Sequence, residues 1–108
     1  MQACKVEPKP QPTHRGVYIG GRDMNSFLPC GVDSLYWVEG GAKPALQASY
    51  VRIARRPLQP IYVELKAQVL PRGTQAPMEG HVGSIRVDTV LTATNQVPLE
   101  CRPKVHPL

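Results

Sequence analysis

The sequence predicts a mainly β fold: a small five-stranded antiparallel barrel with one helix between strands three and four. Three observations predict it. Long segments ending near positions 70 and 94 alternate apolar and polar residues, the period of a strand with one buried face. One segment alone, 44–55, repeats its apolar residues at helical spacing. Gly, Pro and Asp clusters separate these runs, and 108 residues suffice for one domain with a modest core.

The first strand is Arg15 to Gly20, with Val17 and Ile19 sharing a face, and Gly20-Gly21-Arg22-Asp23 is a turn. Ser26-Phe27-Leu28 is a short second strand, stopped by Pro29. Gly31-Val32-Asp33 leads into the third, Ser34 to Glu39, rich in aromatic and branched residues, and Gly40-Gly41 ends it. Of the neighbours Tyr36 and Trp37, which point to opposite faces, Trp37 is assigned to the core. In 44–55, Pro44 suits a first helical turn, and Leu46, Tyr50 and Ile53 form an apolar stripe. Arg52, Arg55 and Arg56 gather at its C-terminal end, where positive charge suits the helix dipole, and Pro57 stops it. Pro60 to Leu70 is the fourth strand, with Ile61, Val63, Leu65, Ala67 and Val69 on one face. Ser84 to Thr94 is the fifth, with Ile85, Val87, Thr89 and Leu91 inward. Strand, strand, strand, helix, strand, strand is the element order of the OB-fold, and closing the barrel protects the sheet edges. The alternative is an open antiparallel sheet with one packed helix.

The chain divides into a linker, 1–14, a barrel domain, 15–101, and an irregular tail, 102–108. Pro8, Pro10 and Pro12 alternate through the linker and favour an extended polyproline II spacer. Cys4 follows the small residue Ala3, as at the processing site of a bacterial lipoprotein, where the Cys is acylated. On this expectation the targeting segment is missing and Met1 stands in its place. Cys4 is then a lipid anchor, and the protein sits on the periplasmic face of a membrane in the bacterial cell envelope. Cys30 and Cys101 remain as an even pair. In an oxidising compartment they would form a disulfide closing a loop of about 70 residues, a gain of roughly 4 kcal/mol. The alternative is two buried free thiols.

The pattern Gly16-x-Tyr18, Phe27-x-Pro29-Cys30-Gly31, Tyr36-Trp37-Val38, Leu46 with Tyr50, Pro60 to Leu65 and a late Cys101 resembles small bacterial envelope lipoproteins. In particular it resembles the OB-fold domain of the NlpE-like copper-homeostasis and envelope-stress lipoproteins, over residues 15 to 101. The resemblance implies an envelope lipoprotein with an OB-like barrel. The chain departs from it in lacking the Cys-x-x-Cys motif of the NlpE-type N-terminal domain.

No Gly-x-Ser-x-Gly elbow, phosphate-cradling Gly loop or His-Glu-x-x-His helix is present, and no enzymatic activity or cofactor is expected. Asp23, Asp33 and Glu39 flank turns and are explained by turn chemistry. A copper site would draw on His14, Met24, Met78 and His81, whose imidazole and thioether groups suit that metal. Single-stranded nucleic acid would draw on the net charge of +5 and on Tyr36, Tyr62, Arg52 and Arg86 as ligand contacts. An extracytoplasmic address disfavours nucleic acid. The leading expectation is a binding or structural module whose partners are the membrane, through its anchor, and an envelope protein or glycan. Arg55 and Arg56 are candidates to meet lipid headgroups.

Overall fold

A computed structural model describes residues 12–21, 24–71 and 80–102. Cys4, the linker through position 11, Asp23, Met78 and the tail beyond Arg102 lie outside the described residues. Five strands and one helix follow in the expected order: β1 (Thr13–Gly20), β2 (Asn25–Pro29), β3 (Leu35–Glu39), α1 (Lys43–Ile53), β4 (Ile61–Pro71) and β5 (His81–Thr94). A short 3₁₀ turn, Leu99–Cys101, follows β5. The strands close into a barrel in the order β1-β2-β3-β5-β4, with β4 returning to β1. This is the OB-like arrangement.

The barrel is mixed rather than wholly antiparallel, because β3 and β5 run parallel. Closure itself requires this. Alternating directions cannot be kept around a ring with an odd number of strands, so one seam must be parallel. A parallel seam needs a long crossover, and α1 with β4 supplies it.

The interior is filled by Tyr18, Phe27, Val38, Leu46, Ile61, Val63, Leu65, Ala67, Ile85 and Val87. Leu46 and Tyr50 carry the buried stripe of α1, and the Tyr50 ring meets Tyr18 edge-on at 5.5 Å between centroids. The helix starts without a side-chain cap, but the backbone N–H of Ala42 donates to the Val87 carbonyl at 3.1 Å and fastens that end to β5. Gly16 is required where β1 crosses β2: a Cβ there would run into the Phe27 ring and the Leu28 carbonyl. Gly40 sits at φ +109° with the Val87 backbone close behind it, so only glycine fits the exit from β3.

Three expectations about faces are corrected. Trp37 is not in the core: Tyr36 and Val38 face inward, and Trp37 lies half-buried on the outer surface. Thr89 and Leu91 are exposed, while Val90 and Ala93 pack against the core. The β4–β5 register slips twice over this stretch, pairing Ala67 with Val87, Lys66 with Thr89, Leu65 with Val90 and Glu64 with Thr92. Each bulge adds one residue and reverses which side chains point inward. Third, Val69, expected on the buried face of β4, is exposed near the end of that strand; β1 turns Tyr18 inward, so Val17 sits on its outer surface, where it is nonetheless fully buried.

The 3₁₀ turn packs against β1 on that side. Cys101, 1% exposed, reaches Cys30 at the end of β2, with a Cα–Cα separation of 4.1 Å and the two sulfurs at bonding distance. Arg15 reinforces the contact: its Nε donates to the Tyr62 hydroxyl at 2.8 Å, and its guanidinium pairs with Glu100 at 3.5 Å. A second, smaller apolar layer of Val17, Tyr62 and Cys101 is thereby covered.

Two predictions follow from this packing. Cys101→Ser removes a cross-link spanning 71 residues, and urea denaturation should show a loss of about 4 kcal/mol against the oxidised wild type. Tyr18 is fully buried and its hydroxyl donates to Asn25 Oδ1 at 2.5 Å. Burial, then the neighbouring Tyr50, pushes its pKa up to about 12 from 10.0. The folded protein holds this proton longer than the unfolded chain. Its contribution is therefore intact below pH 10.0 and disappears as pH rises toward about 12. Tyr18 should contribute a fall of about 2 kcal/mol across that window in denaturation at stepped alkaline pH. Tyr18→Phe should lose that share of the slope, leaving what Tyr50 and Tyr62, whose pKa values burial also raises, contribute.

Candidate functional site

The outer side of β2, β3 and β5 brings together a tryptophan, a histidine and a serine, with a lysine of α1 beside them. Register places them. Ser26 pairs with Trp37 across the β2–β3 seam. Across the parallel seam Trp37 lies beside Ser84, Leu35 beside His81 and Glu39 beside Arg86. The register of that seam shifts between Leu35 and Tyr36, where Val82 is skipped. This shift lets His81 share the outer face with Trp37 while Gly83, Ile85 and Val87 turn inward.

The centre is tightly connected. His81 is 7% exposed and its Nε2 lies 2.7 Å from Ser26 Oγ. Ser26 Oγ also contacts Met24 Sδ at 3.4 Å. The Trp37 ring meets the His81 ring edge-on, with centroids 5.4 Å apart. Lys43 Nζ stands 5.7 Å from the Trp37 centroid, in cation–π range. Lys43 is the first residue of α1, an end where the helix dipole disfavours positive charge. The Trp37 ring offsets that cost and holds a cation beside the aromatic face.

The position of this cluster matters. Met24 ends the β1–β2 turn, and His81 begins β5 directly after the β4–β5 connection. The β2–β3 surface is where OB barrels bind oligonucleotides and oligosaccharides. The cluster presents an aromatic ring and a primary ammonium, backed by the buried pair Ser26 and His81. An aromatic face beside a cation suits a ring-bearing ligand with anionic groups.

The residues expected to contact a ligand are not brought together. Tyr36 faces inward against the core. Tyr62 is 5% exposed on the outer side of β4, under the Arg15 guanidinium, and donates to Glu64 Oε2 at 2.5 Å. Its burial raises its pKa, Arg15 opposing this. Arg52 lies in the last turn of α1. Arg86 does reach the outer face, 3.9 Å from Glu39. Of the copper candidates, Met24 and His81 meet at Ser26, whereas His14 belongs to the β1–β4 seam with its Nε2 buried and unpartnered. Among the described residues no three His, Cys, Asp or Glu side chains gather around a common point.

Sequence reasoning missed Trp37, Lys43 and Ser26 as a site. A signal was present: Gly83 beside Val82 breaks the alternation of β5 and marks the shift that swings His81 outward.

No family model, no curated protein and no solved structure matches this chain.

Proposed function

We propose that this protein is a non-enzymatic binding module of the bacterial cell envelope, anchored at the periplasmic face of a membrane through acylated Cys4. Its ligand site on this reading is the outer β2–β3–β5 face centred on Trp37. The observation that carries the proposal is the Cys30–Cys101 pair at bonding distance, with Cys101 buried. Such cross-links persist in oxidising compartments, and this one ties down the segment that covers Val17. The Ala3-Cys4 step and the proline-rich linker after it fit the anchor. The resemblance to NlpE-like lipoproteins supports the same address. For the ligand, Trp37 flanked by Lys43 favours an anionic envelope glycan, which presents sugar rings to stack and carboxylates to pair.

A second reading is favoured by one contact set. Met24 Sδ and His81 Nε2 both approach Ser26 Oγ beside the Trp37 ring. Thioether and imidazole are ligands for copper(I), and that metal would quench Trp37.

Three measurements check these readings. Thiol alkylation followed by intact mass should find Cys30 and Cys101 protected until reduction. Metabolic labelling with palmitate should mark the wild type and spare Cys4→Ser. Free thiols in protein purified from the envelope would remove the oxidised-compartment argument. Trp37 emission, titrated with soluble peptidoglycan fragments, should shift saturably, and Lys43→Ala should weaken the binding about tenfold. Silence toward glycans with quenching at one equivalent of copper(I) would transfer the site to the metal.

A further inference from the structure

A second surface, away from Trp37, is built where α1 ends. The helix stops at Ile53, and the Ala54 N–H closes on the Tyr50 carbonyl. The chain then turns back to β4, held by the Tyr50 hydroxyl on the Gln59 carbonyl at 2.7 Å and by the Arg55 N–H on Gln59 Oε1 at 2.9 Å. Leu58 sits in this turn at φ +61°, a backbone region that branched side chains rarely adopt. The result projects apolar groups into solvent: Val51 is 80% exposed and Leu58 58%. With Tyr50, Ala54 and Pro57 they wall an open groove of about 630 Å³ over the Gly20-Gly21 turn.

The rim of this groove is basic. Arg55 and Arg56 stand on its edge. Arg55 also borders an adjoining hollow with Arg52, and Arg56 borders another with Arg102. No carboxylate of the described residues lines any of the three. Among the described residues the ion pairs are Arg15–Glu100 and Arg86–Glu39, so these four guanidinium groups have no acidic partner among the described residues. Arg102 is far from the others in sequence and joins them only through the cross-linked C-terminal turn.

We propose that this surface docks on an anionic phospholipid bilayer. Val51, Leu58 and Pro57 enter the headgroup–acyl boundary, and the four arginines meet the phosphates. The exposed apolar side chains are aliphatic and shallow, which suits a fluid interface. A protein partner would ordinarily be met by buried aromatic anchors in a fitted pocket. A bilayer also needs no shape match to the wide groove. The inference goes beyond anchoring through Cys4: it gives the barrel a membrane affinity of its own and an orientation on the surface.

The test removes the anchor, so the two proposals fail separately. The full chain carrying Cys4→Ser is sedimented with vesicles of phosphatidylethanolamine and phosphatidylglycerol, and with vesicles of phosphatidylcholine. Binding to the anionic vesicles should exceed binding to the neutral ones by about tenfold and fall as salt rises. Arg55→Glu with Arg56→Glu should abolish it. Val51→Ser with Leu58→Ser should weaken it several-fold while the melting temperature stays within a few degrees of the parent. Arg52→Gln with Arg102→Gln, a milder pair, should weaken it too. Equal binding to both vesicle types, or binding that survives all three double variants, overturns the proposal. So does a dimer in sedimentation equilibrium that depends on Val51 and Leu58, since the face then belongs to a second copy. Capture of poly-glutamate through the same arginines, without vesicle binding, overturns it in favour of an acidic protein partner.

Discussion

Closure of five strands into one ring is the constraint on which the rest of the structure depends. An odd ring cannot alternate, so β3 and β5 must lie parallel. That seam forces a crossover between β3 and β4, and α1 fills it while covering the barrel with Leu46 and Tyr50. Closure also leaves no exposed sheet edge. The cost is curvature, and the glycines and bulges bear it. Gly16 lets Phe27 pass close to β1, and the register slips in β5 bend the longest strand around the core.

Both surfaces with chemical character arise from these same adjustments. The shift at Val82 brings His81 to the outside, beside Ser26 and Trp37. The crossover that makes the parallel seam possible must return to β4, and its return turn presents Leu58 next to Val51 and the arginines. One face is a compact set of hydrogen-bonding and aromatic groups; the other is a broad basic and apolar strip. They call for different ligands because one is ordered by strand register and the other by a loop.

The Cys30–Cys101 pair links fold and proposed address. A barrel of this size has an interior just large enough for one layer of side chains. The outer apolar side of β1 at Val17 would face water without the C-terminal turn. Cys101 holds that turn in place, and Arg15 adds a hydrogen bond and an ion pair around it. A fold braced in this way depends on staying oxidised, which agrees with the proposed envelope location.

The sequence alone determined the element order, the single helix with its Leu46–Tyr50–Ile53 stripe, the period-two face of β4, and hence an OB-like barrel. It did so because periodicity is a local property, and turn residues mark its limits. It also singled out Cys30 and Cys101 as partners, by counting. Only the tertiary structure decided which face each strand turned inward. Alternation separates Tyr36 from Trp37 without saying which is inside, and one bulge reverses every later side chain, as Thr89 and Leu91 show. The Trp37–His81–Ser26 cluster and the convergence of Arg102 with Arg56 were likewise invisible in the chain. Their members lie on different elements, and their meeting depends on strand register and a distant cross-link rather than on neighbouring residues.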